Sequence, residues 1–478
     1  MLGQNEICHN RSMLEHQSSL QKALTLNLDP KIYGTFAEIG AGQEVVGNFF
    51  KAGGASGTVA KSISAYDMVI SDTIYGREKS KRYVCKSRVE KMMKYEFNLL
   101  VERLTAERKD TQFFAYANTI SARNYHGTNE AHGWQGVRFQ DKEGNENEIV
   151  VHTLLHDNTN QLQQVAVGIL GVNMLHCCFN LDKLHSCSDV VDALMDQLGR
   201  ERVEIDLIDV RGPLFNQFDA RLLNLELVKR GLTSVISFGP KGNVVLPKDE
   251  LYKKNILVAR GSYRPPTKVN VDLLNSSLAQ FESDIKSDDV QLLCEISIAN
   301  LAAEGEIAPE DFLARVDLLS DLNYRVMISN FPKYDGLSQY LRRFKSPHVA
   351  LVLGAYNFQL MLEGRSEDNV LESLGRLLKK PMRLYLYPYK ENDSDTEIIS
   401  LKHMPVSKEV LGLFNYIKET FEICDIDGFD PDLLHIWSRK VLNMIINNEA
   451  GWEDLVPKKT AKAINDKCLF GHPCFKAS

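Results

Sequence analysis

The chain has 478 residues, a formal net charge of −7, 44% apolar residues and 25% charged residues. This is ordinary globular composition with enough length for two or three domains, so long disordered stretches are not expected. An acidic chain has no overall attraction to nucleic acid or to an anionic membrane, and any anion site must therefore be local.

The distribution of apolar residues indicates neither a signal peptide nor a membrane-spanning segment. The start of the chain lacks the apolar core of a signal peptide, and the longest apolar run, near residues 165–175, is too short to span a bilayer. The nine cysteines form no CxxC pair. We therefore expect a cytoplasmic protein in a reducing compartment, without membrane contact.

The first part of the chain is predicted to contain a polar lead-in, residues 1–25, and an N-terminal α/β domain, residues 26–158. TFAEIGAG (35–42) predicts a strand that runs into a glycine turn, and QEVVGNFFKA (43–52) predicts a helix. A long amphipathic helix is expected over residues 86–108. TQFFAYANTISAR (111–123) predicts a strand, and GVRF and EIVVHTLL predict a hairpin.

Residues 159–400 alternate short apolar runs with helical patterns, which predicts a parallel or mixed α/β sheet. Connections of very different length favour an open sheet, with a (βα)8 barrel as the alternative. Residues 401–478 predict a helical C-terminal segment. The strand candidates are VEIDLIDV, SVISFG, NILVARG, VQLLCEISI, YRVMISN, HVALVLG and MRLYLYPY.

A glycine turn follows the first predicted strand, with Glu38, Gly40 and Gly42 at its centre. In dinucleotide and S-adenosylmethionine sites such a turn brings the backbone close to the ligand, and Asp67 lies at a suitable spacing for a ribose-binding acid. The match is partial, because Val45 stands where the dinucleotide fingerprint has its third glycine. A nucleotide-binding turn and a tight turn packed under a helix both remain as interpretations.

The segment GGASGTVAKS, residues 53–62, combines glycines, hydroxyls and a lysine, which is typical of a phosphate-binding nest. A Walker-type loop is disfavoured because Ala60 stands where a glycine should precede the lysine. A solvated loop is the alternative. The candidate phosphate-binding residues are Gly54, Ser56, Gly57, Thr58 and Lys61.

Residues 77–94 hold eight basic residues against two acidic ones, with tyrosines interleaved. Such a segment indicates either an anion site or the solvated face of a helix. Nucleic-acid binding through it is compatible with the charge but is not favoured, because no recognition motif accompanies it.

Two histidines, His126 and His132, lie close together before His152 and His156. Imidazole suits acid–base work near neutral pH, so we predict catalytic roles for His126 and His132 within one cleft. No histidine or cysteine spacing matches a zinc signature, including the clusters at residues 176–187 and 468–474, so no metal site is predicted.

Further polar residues stand at the predicted carboxyl ends of strands, where parallel sheets bind ligands. Asp209 and Glu295 are candidate catalytic carboxylates for proton transfer. Arg260 and Arg264 are candidates for clamping a phosphate or a carboxylate.

Nearly the whole chain resembles a family of bacterial proteins of about this length. The resemblance lies in YGTFAEIGAGQEVV, ASGTVAKSISAYDM, LYKKNILVARGSYRP and GWEDLVP. Members of that family carry two labels, nicotinate mononucleotide adenylyltransferase and TonB-dependent receptor. The receptor label implies an outer-membrane barrel, which the α/β pattern contradicts. The adenylyltransferase label implies a histidine-containing turn that Gly34 and Phe36 do not continue, so the resemblance points to nucleotide handling without assigning a catalytic residue.

These observations predict a cytosolic enzyme that acts on a phosphorylated or nucleotide-type small molecule, such as a nucleotidyl or phosphate-group transferase. One alternative is an S-adenosylmethionine-dependent methyltransferase that uses Glu38 to Gly42. The other is a non-catalytic scaffold or nucleic-acid-binding protein. The cofactor stays open, with a nucleotide and a divalent metal both compatible, and the oligomeric state is not indicated.

Overall fold

The computed structural model describes residues 17–303, 305–364, 369–391 and 397–473, which form two compact units that divide between Leu227 and Val228. Each unit is built around one open sheet whose strands alternate with helices. The predicted α/β class is therefore confirmed. The (βα)8 barrel is wrong, because neither sheet closes on itself.

The first unit contains a sheet in the order β2-β1-β3-β4-β5-β6, in which β1, β2 and β3 are parallel and β3 to β6 are antiparallel. The strands are β1 (Ile32–Gly40), β2 (Val59–Ile63), β3 (Gln112–Ser121), β4 (His132–Gln140), β5 (Glu146–Leu155) and β6 (Val203–Arg211). The helices are α1 (Ser19–Asn27), α2 (Glu44–Ala52), α3 (Met68–Tyr75), α4 (Lys86–Leu104), α5 (Asn160–Cys178), α6 (Cys187–Met195) and α7 (Ala220–Lys229), the last of which runs on into the second unit.

Helix α4 covers one face of this sheet because its apolar residues recur every three or four positions. Val89, Met93 and Phe97 are fully buried. A Cβ atom at Gly136 of β4 would come within 2.6 Å of the Met93 sulfur, so the helix and the strand are in direct contact. The long amphipathic helix predicted from residue 86 is therefore confirmed, with its end at Leu104.

Three predicted segments take a different form in the first unit. The boundary predicted near residue 158 falls inside the unit, because β5 pairs with β6. Part of the predicted lead-in forms α1, which begins at a capping box between Ser18 and Gln21. Residues 59–63, predicted as part of a phosphate-binding loop, form the edge strand β2.

The second unit contains a sheet in the order β14-β13-β12-β9-β10-β11-β7-β8. Strands β9 to β14 are all parallel, whereas β7 is antiparallel to β11 and to β8. The strands are β7 (Val235–Phe238), β8 (Val244–Val245), β9 (Asn255–Arg260), β10 (Val290–Ser297), β11 (Arg325–Ser329), β12 (Val349–Gly354), β13 (Met382–Tyr387) and β14 (Ile423–Asp425).

Helices connect these strands and make up most of the C-terminal segment, as predicted. They are α8 (Pro247–Leu251), α9 (Lys268–Ile285), α10 (Ile298–Leu301), α11 (Pro309–Asp321), α12 (Tyr334–Arg342), α13 (Ala355–Leu362), α14 (Val370–Leu377), α15 (Leu411–Thr420), α16 (Ser438–Ile446) and α17 (Lys458–Lys467). The last helices enclose Trp452, which is almost fully buried. Within the described ranges, every helix is too short or too polar to cross a membrane.

Candidate functional site

The strand order of the first sheet reverses between the parallel strands β1 and β3. The chain leaves β1 through α2 and reaches β2 on one side, whereas β3 pairs with β1 on the other side. In α/β sheets such a point opens a crevice at the carboxyl ends of the strands, where ligands bind. We call this end of the sheet the first-sheet edge; it also carries His132, which pairs with Ser121 of β3.

The turn after β1 approaches β3 so closely that only glycine fits at two positions. Gly40 has a φ of +76°, and a Cβ atom there would lie 2.2 Å from the Ile120 carbonyl oxygen. A Cβ atom at Gly42 would lie 2.1 Å from the Asn118 side-chain oxygen, and the Asn118 amide donates to the Gly42 carbonyl at 2.8 Å. Packing alone therefore explains both glycines, and their role in binding a nucleotide stays a prediction.

Replacing Gly40 by alanine is expected to destabilise the protein by about 3 kcal/mol, from the left-handed backbone and the clash with β3 together. Gly47 provides the matched control within α2, because the nearest atom to a Cβ there lies 3.7 Å away. Gly47→Ala should stabilise the helix by about 0.5–1 kcal/mol. Urea unfolding measures both changes, and equal stability of the two variants would contradict this account of the turn.

Glu38 lies beneath the turn with only 2% of its surface exposed. Burial raises the pKa of its carboxyl to about 8, and hydrogen bonds from the Val46 and Val45 backbone oppose this rise. The Val46 amide donates to the carboxyl at 3.4 Å. The amino end of α2, where a nucleotide-binding turn would hold an anionic ligand, therefore already faces a side chain of the protein, and that side chain is mostly protonated at neutral pH.

A buried polar network lies near Glu38 in the sheet, close enough for Glu38 to affect Tyr116 electrostatically. The Tyr116 hydroxyl donates to the Gln135 side-chain oxygen at 2.7 Å and accepts from the Asn118 amide at 3.1 Å. The Gln135 amide nitrogen is buried without a hydrogen-bond partner among the described residues. An unmet donor of this kind costs about 1–3 kcal/mol, so the floor beneath the turn is polar and incompletely satisfied.

Two histidines and an aspartate form a hydrogen-bonded series at the first-sheet edge. His132 Nδ1 lies 3.0 Å from His152 Nε2, and His152 Nδ1 lies 2.6 Å from Asp206 Oδ1. His152 is fully buried with its ring 4.7 Å from the Trp134 ring, whereas His132 is partly exposed. Burial raises the pKa of Asp206, against the attraction of His152. We call these three residues the His–His–Asp series.

A β-bulge brings Asp206 into this series. The pairing of β5 with β6 shifts register between His152 and Thr153, opposite Asp206. A bulge re-aims the side chains of the strand that contains it. The sequence pattern predicts His132, but it predicts Asp209 instead of Asp206, on the expectation that Asp209 ends a strand of a parallel sheet. That expectation is wrong, because β6 is antiparallel to β5, and a bulge leaves no mark in the apolar pattern that would indicate Asp206.

The other residues predicted for this region lie outside the His–His–Asp series. Asp209 pairs with Lys86 at 2.6 Å and with Arg211 at 2.8 Å. His126 is exposed in the loop before β4, where its ring contacts the Tyr125 ring at 5.3 Å. The structure therefore brings His132 and His152 together and leaves His126 on the surface.

The predicted phosphate-binding segment is occupied by contacts within the first unit. Lys61 Nζ lies 2.5 Å from a carboxyl oxygen of Glu96, which is 1% exposed and also accepts from the Tyr75 hydroxyl. Thr58 is buried and donates to the Leu26 carbonyl. Gly54 has a positive φ and opens a short 3-10 turn, in which Ser56 and Gly57 are exposed. A phosphate at Lys61 would have to compete with Glu96.

Several basic residues of the segment 77–94 form ion pairs with carboxylates of the same unit. Arg88 is fully buried and donates to Asp72 at 2.7 Å. Lys91 pairs with Glu78 at 2.9 Å. The segment is therefore not simply a solvated helix face, because residues 77–85 precede α4 and Arg88 is buried, and nucleic-acid binding stays a prediction.

The site residues predicted in the second unit are held in ion pairs. The Arg260 guanidinium donates to both carboxyl oxygens of Glu295, at 2.6 and 3.1 Å, and the Ser329 hydroxyl donates to the same carboxyl. Arg264 donates to Asp311 at 2.6 Å. The two arginines therefore each have a carboxylate partner, and they do not form one clamp around a shared anion.

Metal-binding side chains do not gather at any point in the described part of the chain, where no three His, Cys, Asp or Glu residues are placed to hold an ion. The thiols of Cys177 and Cys178 are buried within α5, and burial raises the pKa of Cys177 to about 12. Cys474, which belongs to the cluster at residues 468–474, lies outside the described residues.

No protein-family model matches the chain, and no curated protein is similar to it. Among solved structures it is similar to the competence/damage inducible protein CihA from Agrobacterium tumefaciens, with 17% identity and a TM-score of 0.25 over 34% of this chain and 97% of that chain. It is also similar to a competence-damaged protein (CinA) superfamily protein from Enterobacter cloacae, with 12% identity and a TM-score of 0.26 over 37% of this chain and 98% of that chain. Likeness at this level carries no argument about function, which has to come from the geometry of the chain itself.

Proposed function

We propose that the first unit is an enzyme that uses His132 for proton transfer on a small phosphorylated or nucleotide-type molecule bound at the first-sheet edge. The observation that carries this proposal is the His–His–Asp series. Histidine exchanges protons near neutral pH, and a second group on its other nitrogen sets which nitrogen is basic.

We infer one arrangement of protons within the series that satisfies its two hydrogen bonds. An ionised Asp206 accepts from His152 Nδ1–H, which leaves His152 Nε2 as an acceptor. His132 then donates through Nδ1–H to His152, so that the lone pair of a neutral His132 is on Nε2. When His132 takes a proton from a ligand, the positive charge is stabilised through His152 by the carboxylate of Asp206. His132 would thus act as the base, and His152 and Asp206 as positioning residues.

The crevice supports a ligand that a backbone turn can approach. Gly40 and Gly42 let the turn after β1 pack closely against β3, and the turn lies where α/β sheets bind nucleotides. A base beside such a ligand serves a nucleotidyl or phosphate-group transfer by removing the proton of the attacking hydroxyl. The proposal therefore joins a ligand class taken from the crevice to a proton acceptor taken from the His–His–Asp series.

Turnover of a panel of nucleotides, phosphorylated metabolites and S-adenosylmethionine, followed by mass spectrometry, tests the proposal. For a compound that is consumed, His132→Gln and Asp206→Asn should each lower kcat by about 100-fold or more, because both disturb the base. His403→Gln, an exposed histidine of the second unit, is the matched control and should keep wild-type turnover. Wild-type kcat in His132→Gln, or no consumption of any compound, would overturn the proposal.

A further inference from the structure

The six parallel strands of the second sheet follow a strand order that is known for nucleotide binding. Numbered along the chain from β9, their order across the sheet is 3-2-1-4-5-6 when it is read from β11 to β14. This is the doubly wound order in which nucleotides bind across the crevice where the order reverses. In this sheet the reversal lies between β9 and β12, which pair in parallel, with Val352 opposite Ala259.

An aromatic side chain stands exposed at this reversal, directly after β12. Tyr356 is the second residue of α13 and has 45% of its surface exposed. Its ring makes an edge-to-face contact with the Tyr389 ring, whose centre lies 5.4 Å away and whose hydroxyl donates to Gln359. The ring is therefore oriented by the protein while much of its surface is left for another flat group, and stacking of a base on such a ring is a common mode of nucleotide recognition.

A polar cluster lies at the carboxyl ends of the strands beside this reversal. The Arg260 guanidinium, which bonds to Glu295, also donates to the Phe331 carbonyl at 2.9 Å and lies 4.7 Å from the centre of the Tyr334 ring. The Tyr334 hydroxyl in turn interacts with the side chain of Asn357, beside Tyr356. This cluster joins the ends of β9, β10 and β11 to the exposed amide of Asn357, which carries both a donor and an acceptor for the edge of a base.

The helices that follow β9 and β12 differ in how their first turns could bind a phosphate. On the β9 side, the loop from Gly261 lacks the glycine-rich dinucleotide fingerprint, and α9 begins at a cap in which Asn270 accepts from Thr267. On the β12 side, α13 begins after Gly354 with no side-chain cap and no acidic residue in its first turn. A phosphate beside Tyr356 would therefore meet a helix start without a side-chain cap, whereas the start of α9 is already capped by side chains.

We propose that the second unit binds a nucleoside monophosphate in this crevice, with the base stacked on Tyr356, its polar edge at Asn357 and its phosphate at the start of α13. The site is separate from the one proposed for the first unit, and it stands whether or not the first unit is an enzyme.

Isothermal titration of the full chain with AMP, GMP, CMP and UMP tests this site. At least one should bind, and Tyr356→Ala should weaken binding by about 10-fold or more, because that is what loss of one base–aromatic stack does. Tyr356→Phe keeps the ring and should bind as the wild type does. Tyr416→Ala removes another exposed tyrosine of the second unit, on α15, and should leave binding unchanged.

Two further titrations distinguish this site from the first-sheet edge and test which parts of the ligand bind. His132→Gln should not alter binding here, and a change would place the nucleotide at the first-sheet edge and overturn the inference. Adenosine lacks the phosphate and ribose 5-phosphate lacks the base. Each should therefore bind more weakly than AMP if AMP is the ligand that binds. Equal affinities of Tyr356→Ala and the wild type, or no binding by any of the four monophosphates, would also overturn the inference.

Discussion

The wild-type protein is expected to lose about 5 kcal/mol of stability between pH 4.5 and pH 8 through Glu38, and a Glu38→Gln variant is expected to lack this loss. Glu38 is almost fully buried, and its pKa rises from 4.5 to about 8 in the folded protein. The folded chain thus holds the proton more tightly than the unfolded chain. The contribution is complete below pH 4.5 and is lost progressively as the pH rises to about 8.

The difference between variant and wild type isolates Glu38 from the other groups that titrate over this range. Urea unfolding curves at pH 5, 6, 7 and 8, followed by circular dichroism, give the free energy of unfolding of each protein. Glu102→Gln changes an exposed glutamate on α4 and should follow the wild-type curve. Parallel curves for Glu38→Gln and the wild type would show that Glu38 ionises in the folded protein as it does in the unfolded chain.

Arg260→Ala is expected to destabilise the second unit by about 3–5 kcal/mol, because it leaves the carboxylate of Glu295 buried without its partner. The Glu295 side chain has no exposed surface, and the Arg260 side chain has 6%. The exposed pair of Lys254 and Asp289 supplies the control, since Lys254→Ala should change stability by less than about 1 kcal/mol.

A double variant identifies the source of this loss. Arg260→Met combined with Glu295→Leu removes both charges, and replacement of a buried ion pair by apolar residues is often close to neutral. The double variant should therefore be more stable than Arg260→Ala alone in urea unfolding. If both variants lost the same free energy, the loss would come from packing around Tyr334 and Phe331 instead of from an uncompensated charge.

Most of the second sheet could be predicted because buried parallel strands are continuous apolar runs. NILVARG and HVALVLG, for example, become β9 and β12, which lie side by side at the centre of the sheet. The apolar pattern does not predict the strand β2. This strand lies at the edge of its sheet and its residues are only partly buried, so no apolar run marks it. The glycines and hydroxyls around it suggested a loop instead.

The candidate sites were less predictable, because they depend on strand register. Glu96 meets Lys61, and Glu295 meets Arg260, each across a separation of 35 residues. The pattern of charges along the chain does not show which carboxylate will reach which base. His132 could be named because imidazole is rare and chemically distinctive, whereas Asp206 is one of several carboxylates on β6 until the bulge selects it.

The outer strand of the first sheet has a consequence for the behaviour of the protein at high concentration. The side chain of Asn224 on α7 pairs with the backbone of Ile208 on β6, accepting from its N–H at 3.0 Å and donating to its carbonyl at 2.6 Å, as a neighbouring strand would. The rest of β6 carries Glu204, Asp206, Asp209 and Arg211. The Asn224 amide takes the place of a neighbouring strand at Ile208, and the charged residues disfavour pairing with another chain, so the outer strand that supplies Asp206 is protected against aggregation.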